Sequence, residues 1–233
     1  MRILGPEVDS DFRAAPEAIT LRGHYVTLEP ASMLHRVALW RAMEAVEASK
    51  FADSFAYLSY GPFASQEAFD HWWGGFSARE DHVVYVVCPE GGAPCGWLTL
   101  RDIQPRNASI ELGNIWLSPA LQRTRAATES FFLIISYVFA NLYYRRLSWK
   151  CNALNVPSRR AALRMGFSAE GILRNHMIVK GRARDTIYFS VIEDEYPSLA
   201  RSLRVWLGAE NFDTDGQQVQ TLEQIRALAQ APA

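Results

Sequence analysis

A change of hydrophobic period in the middle of the chain constrains the fold more than any other feature of the sequence. Three short apolar or alternating segments, "HVVYVV" (82–87), "CGWLTLR" (95–101) and "ASIELGNIWLS" (108–118), follow one another closely. The segments that join them, "PEGGAP" and "DIQPRN", carry the glycine, proline and asparagine of tight turns. Three strands connected in this way predict an antiparallel meander.

Elements of both kinds lie on either side of this meander, so the chain is predicted to be a mixed α/β protein. We expect one domain over 19–207, an irregular leader at 1–18 and a polar C-terminal tail at 208–233 with a late helical stretch. The other predicted elements are a strand at 18–30, helices at 31–50, 66–80, 126–142, 156–165 and 197–207, a strand at 145–152, and a hairpin between the last two helices.

Composition excludes several classes of protein. The longest apolar run, 131–144, is interrupted by Ser136 and Asn141 and is too short to span a bilayer. The first thirty residues show no signal peptide, and three cysteines are too few for a disulfide framework, so a cytoplasmic protein is expected. The five histidines and three cysteines lack metal-ligand spacing, and no P-loop or dinucleotide fingerprint is present. No metal and no membrane contact are therefore expected.

The charge of the chain is unevenly distributed. Between Arg101 and Arg184 there are 14 Lys or Arg residues against 4 Asp or Glu residues, and 21 of the 24 basic residues of the whole chain are arginine. Because the arginine fork suits phosphate, this segment favours a polyanionic ligand. A solvated face of ion pairs is the alternative, and a nucleic-acid-binding module stays open although no nucleic-acid motif appears.

The segment "LSPALQRTRAATES" (117–130) joins the end of a predicted strand to the start of a helix. The N–H groups at a helix start lack partners and the dipole is positive there, so such a loop can hold a phosphate. Arg123 and Arg125 add charge, but the usual glycines are missing. An ordinary helix start with exposed arginines is the alternative.

The order of elements and four local motifs resemble the GNAT acyltransferase superfamily, specifically its ribosomal-protein N-terminal acetyltransferase (RimJ/RimL-like) branch. The resemblance covers about residues 20–197. In the loop pattern Q/R-x-x-G-x-G/A of the superfamily, Gln122 and Ala127 match, and Arg125 stands at the first glycine. The motifs are "QRTRAATE", "SIELGNIWLSP", "NVPSRRAALRMGF" and "RDTIYFSV".

This resemblance implies a mostly antiparallel central sheet, flanked by helices and splayed between its fourth and fifth strands. Acetyl-CoA would insert its pantetheine between 115–118 and 149–152, with Gly113 and Asn114 as the bulge that bends the strand. The positions implied to bind acetyl-CoA are Ile115, Leu117 and Ser118 on the strand, Gln122, Arg123, Thr124, Arg125, Ala126, Ala127 and Thr128 in the loop and helix start, and Asn155 and Ser158 at the next helix.

The implied activity is acetyl transfer from acetyl-CoA to a primary amine by direct attack on the thioester. Glu111 is the candidate base, acting through water on an α-amine; the alternative is an outward-facing strand glutamate. Many members of the superfamily place a tyrosine acid where this chain has Ala162. Ser158 is therefore the candidate partner of the departing sulfur.

The acceptor side departs from the branch at Met177, which stands where a glutamate is common. The neighbouring His176 is a candidate base or a structural residue, and Asp185 either orients the hairpin or receives a cationic acceptor. Tyr60 and Phe63 belong to an aromatic segment that forms either an acceptor wall or core. The substrate-binding candidates are thus Tyr60, Phe63, His176 and Asp185.

The expected partners are acetyl-CoA and an amine acceptor, without nucleic acid and with a homodimer left open. The acceptor is not fixed: a protein N-terminus, an amino acid, a polyamine, an aminoglycoside and a peptide antibiotic all fit. Because the tyrosine and the glutamate of the family are both absent, a non-catalytic acyl-CoA-binding sensor is the main alternative function.

Overall fold

The computed structural model describes residues 5–8 and 11–230. The remaining positions of the predicted leader and tail, 1–4, 9, 10 and 231–233, lie outside the described residues. Over the described part the chain forms eight strands and seven α-helices. The strands are β1 Leu21–Arg22, β2 Val26–Pro30, β3 Val83–Pro89, β4 Gly96–Gln104, β5 Ser109–Leu117, β6 Arg146–Asn152, β7 Ser168–Val179 and β8 Arg182–Ile192. The helices are α1 Arg36–Glu44, α2 Ala48–Ser54, α3 Gln66–Ser77, α4 Arg125–Ser136, α5 Val156–Arg164, α6 Tyr196–Leu207 and α7 Leu222–Gln230.

All eight strands join one sheet in the order β1-β2-β3-β4-β5-β6-β8-β7. Every neighbouring pair is antiparallel except β5 and β6, which are parallel because α4 forms the crossover between them. The predicted meander and the mixed α/β sheet are confirmed. The strand predicted at 18–30 is two short strands separated by a turn at 23–25, so the predicted fourth and fifth strands are β5 and β6.

The period-2 alternation of the strands sends side chains into a separate core on each face of the sheet. The main core lies between one face and α4, α5 and α6, with Leu98, Leu112 and Phe189 from strands packed on residues such as Ile134. The second core packs α1 and α3 on the other face of β3, β4 and β5. It is dominated by aromatic residues, namely Phe55, Phe69, Phe76, Trp73, Trp97 and Trp116.

Two predicted helices are interrupted in the structure. The helix expected at 31–50 is α1 and α2, with the break at 45–47. The helix expected at 126–142 is α-helical only to Ser136, and Tyr137–Asn141 form one wider π turn. There the N–H of Leu142 donates to the carbonyl of Tyr137 at 3.0 Å. No proline or glycine marks the change of helix type in the sequence of this segment.

The segment after α6 is folded rather than extended. The side chains of Leu222 and Ile225 on α7 lie in the main core. The Asn211 amide donates to the carbonyls of Trp206 and Gln220, both at 3.1 Å, and holds this segment against α6. The tail expected from residue 208 therefore packs on the domain over its described residues.

The described part of the leader has no regular secondary structure but is attached to the domain. The Glu17 carbonyl accepts a hydrogen bond from the Tyr85 hydroxyl at 3.0 Å, and the Glu17 N–H donates to the Tyr137 hydroxyl at 2.9 Å. In the described chain, none of the helices has the length and apolar character needed to cross a membrane.

Candidate active site

The two parallel strands stop pairing before either of them ends. The ladder runs from Ser109 opposite Arg146 to Leu112 opposite Trp149. β5 nevertheless stays paired with β4 as far as Leu117, and β6 stays paired with β8 as far as Asn152. Among the described residues, no strand therefore lies against the β6-facing edge of β5 beyond Leu112.

A bulge on β5 begins where this pairing ends. Gly113 pairs with Thr99 and Trp116 with Trp97, so β5 holds one residue more than β4 between these pairs. Asn114 has a φ of 47°, a left-handed conformation that asparagine tolerates. The bulge predicted at Gly113 and Asn114 is confirmed. A Cβ at residue 113 would lie 2.7 Å from Oε1 of Glu111, so glycine leaves the space for that carboxylate.

The loop before α4 offers fewer free N–H groups than the sequence predicted. Thr124 caps the helix: its hydroxyl accepts the N–H of Ala127 at 3.1 Å, and its carbonyl accepts that of Thr128 at 3.2 Å. The Thr124 N–H itself donates to Leu121. Of the predicted donors, only the N–H groups of Arg123, Arg125 and Ala126 lack a partner among the described residues. We call these three groups the amide cradle.

Arg125 occupies the glycine position without strain because it is the first residue of α4; the positive φ of the loop, 66°, falls at Arg123. The Arg125 guanidinium stacks 3.3 Å from the ring centroid of Phe212 and 5.3 Å from that of Tyr25. Its Nη1 donates to the Tyr25 hydroxyl at 3.3 Å. The side chain expected to reach a phosphate is thus held between two aromatic rings.

Three residues predicted to bind acetyl-CoA also build the loop itself. The N–H of Ser118 donates to Cys95, and the Ser118 carbonyl accepts the N–H groups of Leu121 and Gln122. The Gln122 side chain folds back and donates to the Leu117 carbonyl at 2.9 Å. Both backbone groups of Ser118 therefore have partners within the described residues.

Beside the gap, Asn155 and Ser158 begin α5. The Asn155 side chain accepts the N–H of Ser158 at 3.1 Å and caps the helix. The Ser158 hydroxyl accepts the indole N–H of Trp149 at 3.0 Å, so its own proton is available to another acceptor. The Cys151 thiol lies next to it: burial raises the pKa of this thiol, and a hydrogen bond with Ser158 opposes the rise.

Glu111 faces the opposite side of the sheet from the main core. Only 6% of this residue is exposed, so it is not the outward-facing strand glutamate of the alternative interpretation. Its carboxylate pairs with Lys150 on β6 at 2.9 Å, and Lys150 also pairs with Asp102 at 3.0 Å. Burial alone would lower the pKa of Lys150, but the two carboxylates outweigh burial and raise it.

The β7–β8 hairpin contributes His176, Asp185 and Thr186. The Asp185 carboxylate accepts the N–H of Asn175 at 2.7 Å, where Asn175 has a φ of 51° in an irregular part of β7. Asp185 thus orients the hairpin. His176 is exposed, and its Nδ1 lies 3.0 Å from the hydroxyl of Thr186. The Arg184 Nε donates to the same hydroxyl at 3.1 Å.

Tyr60 and Phe63 pack in the second core. The Tyr60 ring lies 4.4 Å from that of Trp72, and burial raises the pKa of Tyr60. Its hydroxyl accepts the indole N–H of Trp97 at 3.2 Å and donates to the Asn114 carbonyl at 3.4 Å. Tyr60 is therefore core-packed, but its hydroxyl supports the β5 bulge.

Sequence reasoning placed residues 149–152 beside the gap but gave no role to the side chains of Trp149, Lys150, Cys151, Arg184 and Phe212. The first four are on β6 and β8, where only the strand register shows which side chains share a face. The side chains within the described ranges include no group of three or more His, Cys, Asp or Glu residues that could hold a metal ion.

A mostly antiparallel sheet with one parallel pair that separates beside a helix start defines the GNAT type of acyltransferase fold. The chain belongs to this family: the model of the GNAT acetyltransferase domain matches residues 26–168, more than half of the chain. A GCN5-related N-acetyltransferase from Brucella melitensis shares 42% identity and superposes with a TM-score of 0.90. That match covers 93% of this chain and 97% of the other.

Two other relatives are informative. "Putative ribosomal N-acetyltransferase YdaF" of Bacillus subtilis is 28% identical over 105 residues, which cover 45% of this chain and 57% of that protein. The chain thus matches little more than half the length of this curated relative. Spermidine N-acetyltransferase from Vibrio cholerae, solved with CoA and spermine, is 16% identical with a TM-score of 0.60 over 75% of this chain and 99% of that one. This last likeness concerns the fold alone.

Proposed function

We propose that this protein is an acetyl-CoA-dependent N-acetyltransferase that transfers the acetyl group to a primary amine by direct attack on the thioester. The observation that carries the proposal is the early end of the β5–β6 ladder. Strand edges that pair with nothing present N–H and C=O groups to an extended ligand. The amide of pantetheine can bond to such an edge as a missing strand would.

The surrounding residues fit acetyl-CoA. The amide cradle of Arg123, Arg125 and Ala126 lies at the start of α4, where a pyrophosphate is favoured by free N–H groups and by the helix dipole. Ile115 and Leu117 supply the β5 edge, and Asn155 holds Ser158 at the start of α5. CoA bound to a structural relative of this fold supports the assignment.

Acetyl-CoA supplies the activated acyl group, and the protein supplies a base for the amine and a hydrogen-bond donor for the leaving sulfur. Because the Ser158 hydroxyl accepts the indole N–H of Trp149, its own proton can be donated to an acceptor, and the hydrogen bond with Cys151 gives a sulfur as one such acceptor. Ser158 would hydrogen-bond the departing sulfur. Glu111 would accept the proton of the attacking amine through water, held in place by Lys150.

An acetylation screen with a panel of amines, followed by release of free thiol, tests this function. Acetyl-CoA alone should raise the melting temperature, because a ligand that binds only the folded state stabilises it. Stabilisation by acetyl-CoA without thiol release from any amine would favour the acyl-CoA sensor. The sensor would also fit Ala162, which is fully buried and cannot act as the acid that many members of the superfamily have at this position. Absence of both effects would reject both functions.

A further inference from the structure

We propose that the amine acceptor carries a carboxylate close to its amino group, and that Arg184, assisted by Arg101, binds this carboxylate. The inference deepens the proposed function and rests on it. It concerns the face of β4, β5, β6 and β8 on which Glu111 and Lys150 lie, here called the acceptor face.

Arg184 is held in place but lacks a charged partner. Its Nε donates to the hydroxyl of Thr186, a residue that is only 1% exposed. No carboxylate of the described residues lies within ion-pair distance of Arg184, and its two terminal nitrogens have no hydrogen-bond partner there. The side chain is half-buried, and burial lowers the pKa of its guanidinium. A cation that is partly desolvated, fixed and unpaired is suited to a bidentate anion.

Arg184 lies beside the reacting groups identified above. Thr186 is opposite Asn152, the last residue of β6. This pair lies beyond Trp149, the last residue of β6 that pairs with β5. The charge of Arg184 acts on the Cys151 thiol, and the charges of Glu111 and Arg101 act on Arg184. A carboxylate bound by Arg184 would therefore place an amine on the same molecule near Glu111.

The other charges of the acceptor face favour an anion over a second cation. Both carboxylates, Glu111 and Asp102, are already paired with the single ammonium group of Lys150. Arg101 contacts only the amide oxygen of Asn114, at 3.4 Å, and has no ion pair within the described chain. The positive charge left unpaired would repel the additional ammonium groups of a polyamine.

Asp185 does not reverse this balance. One oxygen of its carboxylate accepts the N–H of Asn175 and stabilises the β7 irregularity, so this carboxylate is engaged within the hairpin. The branch glutamate that would add negative charge is Met177 in this chain. The acceptor class consistent with these charges is an α-amino acid, or a peptide whose first residue is acidic.

The experiment compares acidic acceptors with neutral acceptors of the same shape and with cationic acceptors. Dipeptide amides Glu-Ala and Asp-Ala are tested against Gln-Ala, Asn-Ala and Lys-Ala, with spermidine as a polyamine, by acetyl-CoA-dependent thiol release. We expect kcat/KM to be about ten- to a hundredfold higher for the acidic members, the range of a charge-assisted hydrogen bond. Arg184→Gln should reduce this ratio to near one. Arg182→Gln, an exposed arginine on the same strand, should preserve it.

The outcomes separate the inference from the function beneath it. Equal or better turnover of the neutral or cationic members overturns the inference and leaves the acetyltransferase function standing. An acidic preference that survives in Arg184→Gln, in protein with unchanged stabilisation by acetyl-CoA, also overturns it. No thiol release with any member contradicts the proposed function and the inference together.

Discussion

The Ser158 hydroxyl accepts a hydrogen bond from Trp149 and has the Cys151 sulfur as a neighbour, and these two contacts limit the direction of its own proton. Trp149 fills one lone pair of the oxygen, and the hydrogen bond with Cys151 indicates that the remaining proton can be donated to a sulfur. A serine without the indole contact would be a freely rotating hydroxyl. Such preorganisation is what makes a hydrogen bond useful when charge develops on a leaving group.

Replacing Ser158 with alanine should lower kcat about tenfold or more while the Kd of acetyl-CoA changes little, since the bond to the sulfur strengthens only as the thiolate forms. Trp149→Phe keeps the ring but removes the N–H, and should give a smaller fall in kcat. Single-turnover kinetics and calorimetric titration with CoA make the comparison. An unchanged kcat in Ser158→Ala would remove this role from the residue.

Replacing Glu111 with glutamine should lower kcat/KM more at pH 7 than at pH 9. An α-amine has a pKa of about 7.7–8.0 and is mostly protonated at pH 7, so it needs a base there, whereas solvent has deprotonated it by pH 9. The pH profile of kcat/KM for a dipeptide acceptor measures this. A loss of equal size at every pH would make Glu111 a partner of Lys150 and not a base.

At the scale of elements, the order of strands and helices was readable from the sequence because the hydrophobic period changes cleanly at 82 and again after 118. The bulge was implied by the resemblance to the GNAT superfamily, and Gly113 and Asn114, both poor strand residues, fit it. The breaks in α1–α2 and at 137–141 were not readable, since no proline or glycine marks either of them. The late helical stretch beyond 208 was predicted and is α7, but its packing on the domain was not, because only Leu222 and Ile225 of this helix lie in the core. The candidate site was predicted along β5, the loop and residues 149–152, with Asp185 on β8 as a candidate, but the roles of Lys150 and Arg184 were not predicted.

One element contact, between α4 and the β1–β2 turn, depends on a buried carboxylate. Glu129 accepts the N–H groups of His24, Tyr25 and Val26 at 2.9, 2.6 and 3.0 Å. A Cβ at Gly23 would lie 2.3 Å from Oε2 of Glu129, so the turn needs glycine to approach α4. This contact fixes the helix whose first residues form the amide cradle.

Glu129→Gln should therefore lower the free energy of unfolding by about 2 kcal/mol, because an amide group presents a donor to N–H groups that need an acceptor. Gly23→Ala should destabilise by displacing the carboxylate. Gly75→Ala is the matched control: residue 75 lies on the exposed side of α3, its Cβ would meet nothing within 4 Å, and the change should be neutral or stabilising by up to about 1 kcal/mol. Urea denaturation measures all three. Equal stability of Gly23→Ala and Gly75→Ala would contradict the role of this contact.

At the scale of the whole molecule, the sheet has two unlike faces. One is covered by α4, α5 and α6, and the other is covered by aromatic helices only across β3, β4 and β5. Beyond β5 that second face carries Lys150, Arg184 and Tyr188, with the Lys150 ammonium 5.0 Å from the Tyr188 ring centroid. Several basic residues of the middle segment have internal ion-pair partners, among them Arg145, Arg146 and Lys150.

The stacking of Arg125 on Phe212 joins the cofactor loop to the segment after α6, and a double-mutant cycle should detect it. Arg125→Ala and Phe212→Ala should each cost about 1–2 kcal/mol, and the double variant less than the sum. Both should raise the KM of acetyl-CoA to the same small extent. A rise in KM for Arg125→Ala alone would instead indicate a direct contact of its charge with phosphate.

During evolution, this stacking should couple two positions of the chain that lie nearly ninety residues apart. The arginine at position 125 is stabilised because its guanidinium stacks on the aromatic ring of Phe212. The arginine without the ring, or the ring without the arginine, would lose this stacking. Relatives that keep glycine in the loop should be free to vary or discard the ring, whereas those that carry arginine should inherit both.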